Sequence, residues 1–67
     1  MNGYQFEIYK DRDSQYRFRL RAPNGEIILV SEAYTQKHNA TKTIKSIQKN
    51  AADATVKGKF LAKKGEN

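Results

Sequence analysis

The chain has 67 residues, no cysteine, one histidine and a formal net charge of +6. A length of this order allows one domain whose core is marginal, because so short a chain buries only roughly 60% of its unfolded surface. Disulfides and thiolate metal sites are excluded, His38 alone is a poor basis for zinc, and no apolar run reaches the length of a membrane span.

The first residues lack a signal-peptide core, so the expected compartment is the cytoplasm. Met1-Asn2-Gly3 reads as a loose end. From Tyr4 to Lys10 the chain alternates, with Tyr4, Phe6 and Ile8 on one face and Gln5, Glu7 and Tyr9 on the other, the pattern of a half-buried strand. Asp11-Arg12-Asp13-Ser14 is turn chemistry. Gln15 to Ala22 alternates again, with Tyr16, Phe18, Leu20 and Ala22 inward and Arg17, Arg19 and Arg21 outward. For Phe6 and Ile8 to share a face with Phe18 and Leu20, the loop between these strands must hold an odd number of residues, three or five. Glu7 then lies opposite or diagonal to Arg17 and Arg19.

Ala22-Pro23-Asn24-Gly25-Glu26 is the second turn. Asn-Gly alone points to a two-residue turn, which sends Ile27 and Leu29 inward. Pro23 favours a type I turn with Gly25 left-handed in a bulge, which sends Ile28 and Val30 inward. Glu26-Ile27-Ile28-Leu29-Val30-Ser31-Glu32 is the organising strand, with four large apolar residues in a row, and either choice leaves two of them on the arginine face. Beyond it, Thr35 is the expected N-cap of a helix from about Gln36 to Asn50, where Ala40, Ile44, Ile47 and Ala51 form one buried stripe and Asn50 closes the helix in the left-handed region. A weak strand signal follows around Thr55 to Phe60, and Ala62 to Asn67 reads as a solvated tail. The expected core is Phe6, Ile8, Phe18, Leu20, Ala40, Ile44 and Ile47. The fold class is α+β: a three-stranded antiparallel meander, one helix on one face, and a short C-terminal strand, all within residues 1–67 as one domain ordered over about 4–60.

Charge is uneven. Residues 1–34 balance five basic against five acidic side chains, whereas residues 35–67 hold eight lysines against Asp53 and Glu66. His38, Lys42, Lys45 and Lys49 fall opposite the apolar stripe of a helix without acidic residues, and Lys37 adds to them. Lys57, Lys59, Lys63 and Lys64 extend the positive run. This is either a phosphate-binding face or a solvated, solubilising one. No aromatic residue interleaves, so base stacking is not indicated there. The arginine row, near Tyr9 and Tyr34, is either a phosphate or single-strand platform or a set of partners for Glu7, Glu26 and Glu32, and the neutral balance of that half favours the partners. Asp11-Arg12-Asp13 fails as a calcium loop, since Tyr16 and Ala22 occupy the positions that need Gly and Glu. Ser14, Ser31 and Ser46 share one possible histidine base and no nucleophile-elbow pattern. No catalytic residue, cofactor or metal is expected.

These residues resemble the YegP-like family of small prokaryotic proteins: Phe6-Glu7-Ile8-Tyr9-Lys10-Asp11, Tyr16 to Ala22, Asn24-Gly25-Glu26, Ser31-Glu32 with Tyr34 and Lys37, then Ile44, Ile47 and Asn50-Ala51. Thr43 departs from the Gly or Ala usual there. The resemblance implies a β-β-β-α-β unit, occurring in tandem or as a dimer whose units join into one sheet and exchange C-terminal strands. It implies no activity. The expected function is that of a small non-enzymatic binding module, a homodimer with protein partners. Its interface would draw on Ile27, Leu29, Thr55 and Val56. The alternative is a nucleic-acid or polyanion accessory protein using His38, Lys42, Lys45, Lys49, Lys57 and Lys59. No membrane partner is expected.

Overall fold

A computed structural model describes residues 2–58. Strands β1 (Gln5–Lys10), β2 (Tyr16–Arg21) and β3 (Ile27–Val30) form an antiparallel meander in that order, followed by helix α1 (Lys37–Asn50) and one 3₁₀ turn, Ala51–Asp53. The alternation of β1 and β2 fixes their register: Phe6 faces Leu20, Glu7 faces Arg19 and Ile8 faces Phe18. The intervening loop, between the Lys10–Tyr16 pair, has the odd length that parity demands. Asp11 organises it. Its carboxylate accepts the N–H groups of Asp13 (2.9 Å) and Gln15 (3.0 Å) and the Arg17 Nε–H (2.7 Å).

The second turn also follows its residues. Gly25 N–H donates to the Ala22 carbonyl (2.9 Å), Ala22 N–H donates to Glu26 O (2.8 Å), and Gly25 is left-handed at φ 92°. That is the three-residue loop that Pro23 favours. The face of β3 nevertheless departs from expectation. Arg21 pairs with Ile27 but Leu20 pairs with Leu29, so Ile28 is an extra residue in a bulge. One inserted residue reverses the alternation beyond it. Leu29 therefore shares the helix side with Leu20, and Val30 lies with Arg19 on the other, correcting the expectation that Ile28 and Val30 point inward.

Tyr34 still pairs with Tyr16, by two backbone bonds of 2.7 and 2.8 Å. This holds the chain extended past residue 34 and moves the helix start on by one. The N-cap is Gln36, not Thr35, and no side chain caps it. At the other end Asn50 is right-handed, not left-handed: its side chain turns back to the Ser46 carbonyl (3.0 Å) and the chain tightens into the 3₁₀ turn. Ala51, expected in the buried stripe, is exposed there.

The core is small. Phe18 (2% exposed), Ala40 and Ile44 are buried, with Phe6, Ile8, Tyr16, Tyr34 and Ile47 packed around them. Phe6 meets Phe18 edge-on at 5.8 Å and Tyr34 stacks on it at 6.4 Å. Thr43 directs its hydroxyl to Asn39 O (2.9 Å) and leaves Ile44 buried, so it does not hold the helix off the sheet. Leu20 is half-buried and outside this cluster, because α1 lies on β1 and β2 and, among the described residues, does not reach β3. Residues 54–58 carry no strand, and they are exposed. The part of the expected last strand at Lys59 and Phe60, and the tail from 62 to 67, lie outside the described residues.

Candidate interaction surfaces

The sheet face away from the helix is electrically closed on itself. Glu7 accepts Arg19 Nε–H at 2.7 Å and Arg21 Nη2–H at 3.1 Å, while Asp11 holds Arg17. Hydrogen bonds from Arg21 and then Arg19 keep the Glu7 carboxyl below its ordinary pKa, and Arg17 followed by the Gln15 N–H does the same for Asp11. Arg17 is held above its usual value by Asp11. Its guanidinium also donates to the Ser31 carbonyl (3.1 Å), freed because Phe18 N–H bonds Ser31 Oγ instead (2.9 Å). Arg19 lies 4.8 Å over the Tyr9 ring. The expected partners Glu26 and Glu32 take no part in these pairs, and Tyr34 sits in the core instead of beside the arginines. Three arginines saturated in this way are poorly placed to grip a phosphate.

The helix presents the opposite condition. Lys37, His38, Lys42, Lys45 and Lys49 are all exposed, and among the described residues none of these lysines forms an ion pair. Lys37, His38, Thr41, Lys42 and Lys45 line one open depression; a second, between Tyr34 and the helix, is lined by Asn39, Lys42, Thr43 and Ser46. The structure thus brings His38, Lys42 and Lys45 together, with Lys49 one turn further along. Lys37 joins them, as its i, i+4 relation to Thr41 permits. Lys57 stands apart on the exposed segment after the 3₁₀ turn. Lys59, Lys63 and Lys64 lie outside the described residues. Cations in the first turn face the positive end of the helix dipole, a locally unfavourable arrangement.

The third surface is β3. Ile27, Ile28, Leu29 and Val30 are 46%, 53%, 42% and 51% exposed. Ser31 N–H bonds Phe18 O at 2.8 Å, so the alternation of an antiparallel ladder turns the N–H and C=O of Val30 to the open side. Of the expected interface residues, Ile27 and Leu29 are here, and Thr55 and Val56 are on the exposed segment that follows α1, with Val56 97% exposed. Ile28 and Val30 belong to the same surface; the bulge that put them there leaves no mark in the hydropathy pattern. Among the described residues, no three His, Cys, Asp or Glu converge to hold a metal, and no helix is long and apolar enough to cross a membrane.

Residues 11–57 match the family described as Domain of unknown function (DUF1508). A UPF0339 protein of Treponema denticola is 54% identical over 52 residues, 78% of this chain and 90% of that protein. The UPF0339 protein YegP of Escherichia coli K12 is 52% identical over 46 residues, which span 69% of this chain but 42% of YegP. The solution NMR structure of a protein from Haloferax volcanii has a TM-score of 0.78 at 38% identity, covering 88% of this chain and all of that one.

Proposed function

We propose that this chain, which belongs to the DUF1508 family, is a non-enzymatic binding module that works as a homodimer and engages other proteins. The observation that carries the reading is the state of β3: four consecutive large apolar residues, all more than 40% exposed, on a strand whose outer edge is unpaired among the described residues. Lysine, proline or an inward charge usually blunts such an edge, and Ile27–Val30 has none of them. Among the described residues, three hydrophobic side chains are buried, Phe18, Ala40 and Ile44. A domain of this size without disulfide or metal gains most from a second copy. The segment at 54–58, with Val56 almost wholly in solvent, is a strand-length piece that carries no strand pairing. Exchange of this segment between two copies pairs it with a partner's edge and covers apolar surface in both, equivalently by two-fold symmetry.

Light scattering at micromolar concentration tests the dimer: twice the single-chain mass is expected, and a monomer at high micromolar concentration overturns it. Pull-down from lysate with nuclease treatment separates protein partners from nucleic acid carried along. A second reading, a polyanion-binding accessory protein, is favoured by the helix lysines, which lack acidic partners.

A further inference from the structure

We infer that the outer face of α1 docks on the phosphate backbone of double-stranded nucleic acid without reading its sequence. This rests on the second reading above and names its ligand class. The first observation is how the charges are divided. The carboxylates Glu7 and Asp11 are taken up by arginines of the sheet face, whereas Lys37, Lys42, Lys45 and Lys49 share a helix that carries no acidic residue. Among the described residues, the helix therefore offers a continuous row of cations with no acidic residue of its own. Its occupant must be an extended anion, because the row from His38 to Lys49 runs along about 16 Å of helix at ~1.5 Å per residue. That exceeds the ~12 Å opening of a major groove, so lysines from one helix reach phosphates on both of its edges.

The other side chains decide between duplex and single strand. Single-strand binders place aromatic rings under the bases. The exposed face of α1 carries no aromatic residue, and Phe18 and Tyr34 are engaged in the core. Base reading also requires free polar side chains. Three of the helix's polar side chains are spent on the helix itself: Thr41 on the Lys37 carbonyl, Thr43 on Asn39 O, and Asn50 on Ser46 O. Beside His38 and Gln48, what faces outward is mainly ammonium groups, point charges suited to phosphate. Insertion beside anionic lipid is disfavoured, since the apolar stripe of the helix is buried against the sheet.

The test is fluorescence anisotropy of the full chain against two unrelated duplexes of equal length, a single strand of that length, and inorganic polyphosphate. If Lys37, Lys42, Lys45 and Lys49 each meet one phosphate, affinity per chain falls about a hundredfold between about 50 and 200 mM salt. Both duplexes are expected to bind alike and more tightly than the single strand. Lys42→Gln with Lys45→Gln should roughly halve the slope of log affinity against log salt, with the far-UV spectrum unchanged and Arg12→Glu as a control for net charge. Equal or tighter binding of the single strand, or a tenfold difference between duplexes, overturns the inference and leaves the polyanion reading standing. Association unaffected by the double substitution overturns the assignment to this face. No association with any of the three polymers at low salt overturns both.

Discussion

Phe18 is the most consequential side chain for folding, and its removal can be sized from its contacts. It is 2% exposed, meets the Phe6 ring edge-on and the Tyr34 ring face-on, and lies beneath Ala40 and Ile44. Phe18→Ala loses the transfer energy of a buried ring and leaves a cavity, ~3–5 kcal/mol in comparable cores. At ~0.05–0.15 kcal/mol per residue, a chain of this length has a total stability on the order of 3–10 kcal/mol. The substitution therefore removes from about a third of it to the whole. For a domain this small ~1 kcal/mol shifts the melting temperature by ~4–8 °C, so a fall of at least ~12 °C is expected. Urea and thermal unfolding at one fixed protein concentration provide the assay, since any association makes melting concentration-dependent. Leu20→Ala is the internal comparison: the same sheet face, but half-buried and outside the cluster, so it should cost clearly less. A Phe18→Ala protein that melts within a few degrees of the original, or a Leu20→Ala protein equally damaged, refutes the core described here.

Gly25→Ala should destabilise by ~1 kcal/mol in urea titration, because φ is 92° there while the space around it is open; Gly25→Asn, which tolerates the left-handed region better, should cost less. Glu7 and Asp11 have folded pKa values lowered by their arginines, so the stability they contribute is present above the ordinary carboxylate range and is lost as pH falls through it. Glu7→Gln with Asp11→Asn should accordingly flatten the acid limb of the melting curve between about pH 5 and 2, and an unchanged limb would assign acid sensitivity elsewhere. Ile28→Lys with Val30→Lys places charge on the open edge of β3 and should yield monomer by light scattering without changing the helical signal.

The residues that announce themselves in the sequence are those whose structure is set locally. The alternation of β1 and β2 was readable, and so was the odd loop between them, because parity is a property of numbering alone. Pro23 and Gly25 likewise specified their turn by backbone preference. The bulge at Ile28 was not readable. Four consecutive apolar residues satisfy either face equally, so register is settled by what lies opposite, here Leu20 against Leu29. The helix ends at Asn50 as its residues indicate, but its start is set by distant pairing: the Tyr16–Tyr34 bridge moves the N-cap from Thr35 to Gln36. Of the candidate sites, the lysine row was legible from helical spacing, whereas the capture of Arg17 by Asp11 and the Ser31 carbonyl depends on loop geometry.

The division of charge also fixes how salt should act on folding and on binding. Added salt weakens the half-exposed Arg19–Glu7 and Arg21–Glu7 pairs, which costs little, since solvent already screens pairs this accessible. The same salt relieves repulsion along Lys42, Lys45 and Lys49, worth ~0.2–0.5 kcal/mol per pair. These effects oppose each other and are of similar size, so the melting temperature should move little across the range in which phosphate contacts are screened. Binding has no such compensation: every lysine that meets a phosphate loses affinity with salt in the same direction. A steep salt dependence of binding with a flat salt dependence of melting is therefore the joint signature of a helix face whose charges serve a ligand and not the fold.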